Sequence, residues 1–539
     1  MSTKRVVIVG GGFAGLSAAY TLMKQGVTPL LLESQDHVGG RGSGEKVDGF
    51  SLDMGAFVFT STYDTAFRIC EELGLPLTPS QMKFGHYRNG RWVTTTPDQS
   101  LWNFLRHLRT AVTMGFLSPA GMRAGSKVMK EIHRQAAYMS FASDSPLAEI
   151  DDDESFGDYL ERLRVPEKLQ VTLRGPLDMV LGDPLPAGQA LMRAYIGETM
   201  LSAGRVYMPE RGIGSLSAAL ADACSDAIRV STPVRRVIVA DGTATGVVVD
   251  GETIEADAII SAVPGTKVPD LIPGLPPETL RALGTVNYST GCRVVIGLDH
   301  APLPSGWHGA LYPEDDDTPL LLDRTAFLPA CAPPGKSILD LLIGRDRARE
   351  LIPLDDDEIK RELLGTVRRK APPGSAVPGD DEGLFYRVYR WEEALCMGTP
   401  GMLAALAKIP EQIAGRIDNL FLAGDYMGIP SVNGALSSGH RAATKAADCW
   451  RLAPRQGVAC AACERIPSLS GVTGDVLARR AIALRPLPEG EAGYEVPLRR
   501  NDGQGCEVPA CAGTTNQSKE RIAWERSSGP QDRCMRRSC

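Results

Sequence analysis

Two hydrophobic rhythms run along this chain, and each predicts its own kind of element. Val6–Val9 is an unbroken apolar run of strand length. Beyond residues 10–15, Leu16, Ala19, Tyr20 and Met23 keep helical spacing, and Gly26 supplies a stop. Residues 29–32 form a second apolar run that ends at Glu33. Strand, helix and strand in this order predict a βαβ unit. A different rhythm occupies residues 231–263. Short apolar runs at 234–239, 247–249 and 253–254 are separated by Asp241-Gly242 and Asp250-Gly251. Asp-Gly between strand-like runs predicts tight hairpins, hence an antiparallel meander. It feeds a buried strand at 258–263, stopped by Pro264. Near the end, residues 420–423 predict a short strand running into Gly424-Asp425, and a small-residue helix opens at Asn433-Gly434-Ala435.

The first turn carries chemistry. Gly10-Gly11-Gly12-Phe13-Ala14-Gly15 is G-x-G-x-x-G placed where strand becomes helix. Gly10 makes the turn, Gly12 lets a pyrophosphate approach the backbone, and Gly15 lets helix and strand pack closely. The helix N-terminus at Ala14 offers unpaired N–H groups and the positive end of its dipole. Glu33 can accept hydrogen bonds from both ribose hydroxyls. Gly39-Gly40-Arg41 follows, a second backbone approach with a guanidinium for phosphate. The string Phe50-Ser51-Leu52-Asp53-Met54-Gly55-Ala56 comes next.

Composition narrows the class of protein. The 539 residues are 43% hydrophobic and 23% charged, which is globular and long enough for several domains. A net charge of −7 argues against a general nucleic-acid binder. No run of 18 apolar residues suggests a spanning helix, and the start lacks the pattern of an export signal, so a cytoplasmic protein is expected. Six cysteines are scattered (70, 224, 292, 331, 396 and 449) and are expected to be reduced and mostly buried. The other six crowd after residue 452, and their spacing does not match a zinc site. The acid runs at 151–154, 314–317 and 355–358 are expected to be solvated faces, so no metal is anticipated.

Between the patterned pieces lie two long segments. Residues 101–142 hold six Lys or Arg (Arg106, Arg109, Arg123, Lys127, Lys130, Arg134) against one acid, Glu131. With Trp102, Phe104, Leu105, Leu108, Met114, Phe116 and Leu117 on an apolar side, they could dock on anionic lipid or form an ordinary helix pair. Residues 452–539 show no helix or strand period and are expected to form an irregular C-terminal tail.

Three motifs now stand in order: residues 10–15 with Glu33, Gly39-Gly40-Arg41, and Gly424-Asp425 leading to Asn433-Gly434-Ala435. Together they resemble the superfamily of flavin amine oxidases, phytoene desaturases and protoporphyrinogen oxidases over residues 4–450. The resemblance implies an α/β fold. A discontinuous Rossmann-like FAD domain with its meander would comprise 1–80, 206–265 and 385–451. An α+β substrate domain would comprise 81–205 and 266–384. FAD contacts are implied at Gly10, Gly12, Ala14, Gly15, Glu33, Gly39, Gly40, Arg41, Gly55, Ala56, Val234, Gly424, Asp425, Ser431, Val432 and Asn433. Val234 would touch adenine, Asp425 would face the ribityl or pyrophosphate, and the Asn433 helix N-terminus would point at the flavin's N1–C2=O edge.

Two departures separate the branches. Amine oxidases of this superfamily present an aromatic residue three before the glycine of the last helix; here that place is Ser431. Their active-site lysine corresponds to Arg293, which the resemblance places as a catalytic cation at the mouth of the site. Ala423-Gly424-Asp425-Tyr426 and Pro209-Glu210-Arg211-Gly212-Ile213-Gly214 are more similar to the carotenoid and isoprenoid desaturases. The implied activity is FAD-dependent desaturation of an apolar isoprenoid-like or polycyclic substrate, with oxygen or a quinone as acceptor. Protoporphyrinogen oxidase-like, amine oxidase-like and non-redox flavoprotein activities (isomerase or carrier) are the alternatives. Cys396 follows Trp391 by five residues, unlike the longer spacing in covalently flavinylated relatives, which implies non-covalent FAD.

Overall fold

Val6–Val9 is the middle strand of a five-stranded parallel sheet. The computed structural model describes residues 5–94 and 111–451, apart from 113, 116, 182, 203 and 316. Across the sheet the order is Ile228–Arg229, Leu30–Leu32, Val6–Val9, Ala258–Ser261 and Leu420–Leu422, and every pairing is parallel. Parallel strands are covered on both faces, which is why these read as continuous apolar runs. Val6, Val7, Ile8, Ile259 and Ile260 are fully buried. Strands from the beginning, middle and end of the chain therefore form one unit, so the cofactor domain is discontinuous, as the motif order implied.

Helices Phe13–Lys24 and Val432–Arg451 pack together beside this sheet. The approach is close because of Gly439: a Cβ there would overlap the Ala14 carbonyl. Ser17 Oγ donates to the Leu436 carbonyl at 2.7 Å across the same contact. The meander consists of Val234–Ala240, Thr243–Val249 and Glu252–Glu255, all antiparallel. Its hairpins turn at Asp241-Gly242 and Asp250-Gly251 with all four φ angles positive, the condition of a type I′ turn.

A seven-stranded sheet forms the second body of the fold. Its order is Phe385–Trp391, Gly291–Leu298, Ser337–Ile343, Leu320–Asp323, Gly309–Leu311, Phe84–Arg88, Arg91–Thr94. One domain boundary needs correction here. Residues 385–391 were assigned from sequence to the cofactor domain, yet they pair along their whole length with Gly291–Leu298. The strand belongs to the seven-stranded sheet, and the chain returns to the parallel sheet after it, at Leu420–Leu422. Helices Pro119–Arg134, Phe156–Arg162, Glu167–Leu181 and Gln189–Leu201 occupy the first long segment. Their apolar faces join the core of the parallel sheet, whereas the seven-stranded sheet has a separate core around Val294, Leu321 and Leu339. Among the described residues no helix is long and apolar enough to cross a membrane. The tail 452–539, and Trp102, Phe104 and their neighbours, lie outside the described residues.

Candidate functional site

The glycine turn closes on the chain at two positions and stays open at the third. A Cβ on Gly15 would overlap the Gly10 carbonyl, and one on Gly10 would press on the Ala262 carbonyl at 3.0 Å. Gly10 also has φ +102, which side chains rarely adopt. At Gly12, by contrast, an added Cβ meets nothing within 4 Å. The helix that starts at Phe13 has no side-chain cap. Its first N–H groups therefore point into the space beside Gly12, where a phosphate fits.

Glu33 stands where the sequence placed it, at the carboxyl end of Leu30–Leu32. Its Oε2 accepts from Gly11 N at 2.6 Å, and its Oε1 from Ser34 Oγ and Gln35 N at 2.9 Å. Thr232 N donates to the Glu33 carbonyl at 2.7 Å, which brings the start of the meander at Val234 alongside the acid. Gly39 forms a bridge with Gly12, and both Gly39 and Gly40 have positive φ. The two glycine motifs thus share one floor. An open backbone cradle, an uncapped helix and a ribose-type acid suit the dinucleotide half of FAD.

Arg41 and Asp425 were each assigned to the cofactor, and the structure brings them to each other. The Arg41 guanidinium donates to both Asp425 oxygens, at 2.8 and 2.9 Å, and to the Ala394 carbonyl at 3.1 Å. Its two terminal nitrogens are therefore engaged within the protein. Burial alone would lower its pKa, but the Asp425 charge outweighs burial and holds it above the ordinary value. Tyr288, which the sequence did not single out, completes the group. Its hydroxyl lies 3.0 Å from Asp425 Oδ1, and its ring lies under the guanidinium at 4.9 Å. Burial, then the Asp425 carboxylate, pushes the phenol well above its usual pKa, so it stays a proton donor.

Gly55 and Ala56 lie against this group. Ala56 N donates to the Arg41 carbonyl at 2.9 Å, and a Cβ on Gly55 would overlap that same carbonyl. Arg293 approaches Gly55 from the opposite side. This corrects the expectation of a cation at the site mouth: Arg293 is 4% exposed and forked onto Asp340. Its Nη1 donates to the Gly55 carbonyl at 2.9 Å.

The side chains of the last motif are engaged within the protein. Ser431 Oγ accepts from Gly434 N at 2.9 Å, which is how a serine caps a helix. Val432 is the first helical residue and Gly424 N donates to Ser438 Oγ at 3.0 Å. The Asn433 side chain is fully buried and spent on structure. Its amide donates to Asp64 Oδ1 and the Phe141 carbonyl, both at 2.8 Å, and its oxygen accepts from Ala66 N at 3.0 Å. Only the backbone of this turn is left to face a flavin edge.

Aromatic side chains gather beside residues 430–431. The Tyr195 hydroxyl donates to the Pro430 carbonyl at 2.9 Å, and Tyr195, Phe141, Tyr63, Phe59 and Phe67 contact one another in sequence. Glu198 lies on the same helix as Tyr195, 3% exposed, accepting from Ser61 Oγ at 2.8 Å. Burial raises its pKa. A separate cavity of about 630 Å³ reaches Tyr288, and its charged lining is mixed, with Arg174 and Arg349 beside Asp183, Glu314 and Asp346. Among the described residues no group of three or more metal-ligating side chains converges. Cys70, Cys224, Cys292, Cys331 and Cys396 are buried free thiols.

A family model described as flavin containing amine oxidoreductase matches residues 13–447. Phytoene dehydrogenase of Streptomyces griseus is 27% identical over 453 residues, covering 74% of this chain and 85% of that one. A flavin-containing monoamine oxidase of Mycobacterium tuberculosis, AofH, is 43% identical over 89 residues, 16% of this chain and 18% of that protein. The chain thus covers less than a fifth of that relative's length. A structure of wild-type putrescine oxidase bound to putrescine superposes with a TM-score of 0.63 at 19% identity, covering 83% of this chain and 99% of that one. At that identity the likeness speaks for the fold.

Proposed function

The chain belongs to the flavin-containing amine oxidoreductase family and is an FAD-dependent oxidoreductase; on that footing we propose that it desaturates a largely apolar, isoprenoid-like or polycyclic substrate. The observation that carries this reading is at Ser431. Where the amine-oxidising branch presents a ring, this chain has a hydroxyl bound to its own helix turn, and the surrounding side chains are the apolar rings of Tyr63, Phe141 and Tyr195. Residue 431 itself offers a protonated amine no ring, and the neighbouring rings of Tyr63 and Phe141 are packed into the apolar core. The long alignment with a phytoene dehydrogenase supports the same choice.

When bound, FAD supplies the hydride acceptor. The protein's part is placement and charge. The cradle at Gly12 and the N–H groups of the helix Phe13–Lys24 hold the diphosphate, and Glu33 holds the ribose. Arg41 with Asp425 joins the second motif to the last and fixes their spacing. Tyr288 keeps its proton beside Asp425 and so steadies that carboxylate. The first N–H groups of the helix Val432–Arg451, with Ser431 satisfying one of them, leave a positive dipole end for charge that develops on the flavin edge.

Anaerobic mixing with candidate substrates tests the assignment. Polyenes or related apolar hydrocarbons should bleach the flavin stoichiometrically, and simple amines should not. Rapid anaerobic bleaching by amines, with hydrogen peroxide formed in proportion once oxygen is admitted, would replace this reading with amine oxidation. We also propose peripheral contact with anionic lipid through the helix Pro119–Arg134, and FAD held without a covalent bond. Cys396 supports the latter: burial, then the Asp425 charge, keep its thiol protonated and a poor nucleophile.

A further inference from the structure

We propose that two buried arginine–aspartate pairs, Arg293–Asp340 and Arg324–Asp53, form a clamp that sets the position of the 53–57 backbone against the cofactor, and that Arg293 is a positioning residue. The proposal rests on the reading of Gly55-Ala56 as an FAD contact.

Three carbonyls of one short segment, those of residues 54, 55 and 57, are held from this side. Trp391 Nε1 donates to the Met54 carbonyl at 2.9 Å, Arg293 Nη1 to Gly55 at 2.9 Å, and Arg324 Nη1 to Phe57 at 3.3 Å. Both guanidiniums lie over the Phe57 ring, Arg293 at 5.9 Å and Arg324 at 5.6 Å from its centroid. Each guanidinium is fixed in turn by a carboxylate. Arg293 forks onto Asp340, and Arg324 binds Asp53, whose other oxygen accepts from Gly214 N at 2.9 Å. All four side chains are buried.

The register explains why Arg293 reaches Asp340. Val295 lies opposite Asp340 in the pairing of Gly291–Leu298 with Ser337–Ile343, so Arg293 is its diagonal neighbour on the same face. The rigid seven-stranded sheet thereby presents donors to a loop of the other domain. On its far side that loop meets Arg41 through Ala56 N and the close approach at Gly55. Two charge pairs in a dry interior are a costly way to hold a loop if packing alone would serve. What they add is direction, because a forked guanidinium fixes where its remaining donor points.

The test measures FAD binding to the apoprotein and the spectrum of the bound flavin. Arg293→Lys keeps a charge beside Asp340, but one ammonium cannot both fork the carboxylate and reach Gly55. The pair replacement Arg293→Met with Asp340→Leu removes both charges, and such swaps often preserve the fold. Both proteins should melt near the wild type yet bind FAD roughly tenfold more weakly, with a shifted flavin spectrum. Wild-type affinity and spectrum in either folded variant would overturn the clamp. Ala56→Phe separates the underlying reading: if it leaves FAD binding unchanged, the 53–57 segment does not face the cofactor at all. Loss of binding in Ala56→Phe alone would leave the segment at the cofactor and refute only the clamp.

Discussion

Arg41 and Asp425 stand 384 residues apart in sequence and meet as a two-pronged ion pair with N–O distances of 2.8 and 2.9 Å. One belongs to the motif after the first βαβ unit, the other to the turn after the last strand of the same sheet. Their contact closes the discontinuous cofactor domain on itself.

Breaking this pair should therefore injure both stability and cofactor binding. Arg41→Met leaves Asp425 largely buried beside Tyr288 without its cation, at a cost of about 3 kcal/mol. Urea melts of the apoprotein should show that loss, and FAD titration should show weaker binding. An unchanged melting curve would mean that solvent already screens the pair.

Gly12 and Gly15 should fail in different ways. At Gly12 a new Cβ meets nothing within 4 Å and φ is −70, so Gly12→Val should leave the apoprotein's melt intact while abolishing FAD binding. Gly15→Ala forces a methyl into the Gly10 carbonyl, so it should destabilise the apoprotein itself. Thermal melts with and without FAD check both outcomes. Normal FAD binding by Gly12→Val would exclude the cradle as the diphosphate site.

Glu198 predicts a pH dependence. Burial raises its pKa in the folded protein above the unfolded value of 4.5. At low pH both states carry the proton and nothing is lost. As pH rises the unfolded chain ionises first, so stability declines through the interval up to the folded pKa. Glu198→Gln is neutral throughout, so its melting temperature should exceed the wild type's at pH 7 and match it near pH 4. A difference that does not vary with pH would contradict this.

The helix Pro119–Arg134 carries Arg123, Lys127, Lys130 and Arg134, with Met122 half exposed. Vesicles containing acidic lipid should retain the protein at low salt and release it as salt rises. Reversing Lys127 and Lys130 to Glu should weaken retention by about 1 kcal/mol per charge or more. Equal recovery with neutral and acidic vesicles would remove lipid docking.

The sequence by itself determined the local elements. Val6–Val9, the glycine turn, Glu33 and the two Asp-Gly hairpins could be read directly, because strand runs, helical spacing and positive-φ turns are written in neighbouring residues. The motif order also carried the discontinuous cofactor domain. What the tertiary structure decided was partnership. Nothing near Arg293 names Asp340, since the two meet only after strands 47 residues apart pair in one register. Nothing near Asn433 names its partners either: Asp64, Ala66 and Phe141 surround its amide only after folding. The strand Phe385–Trp391 has the same local pattern whichever sheet it joins, and the free edge of Gly291–Leu298 decided it. Charges and amides are indifferent to sequence distance once buried: they take the nearest complementary group, and which group is nearest is settled only by the packing of the whole chain.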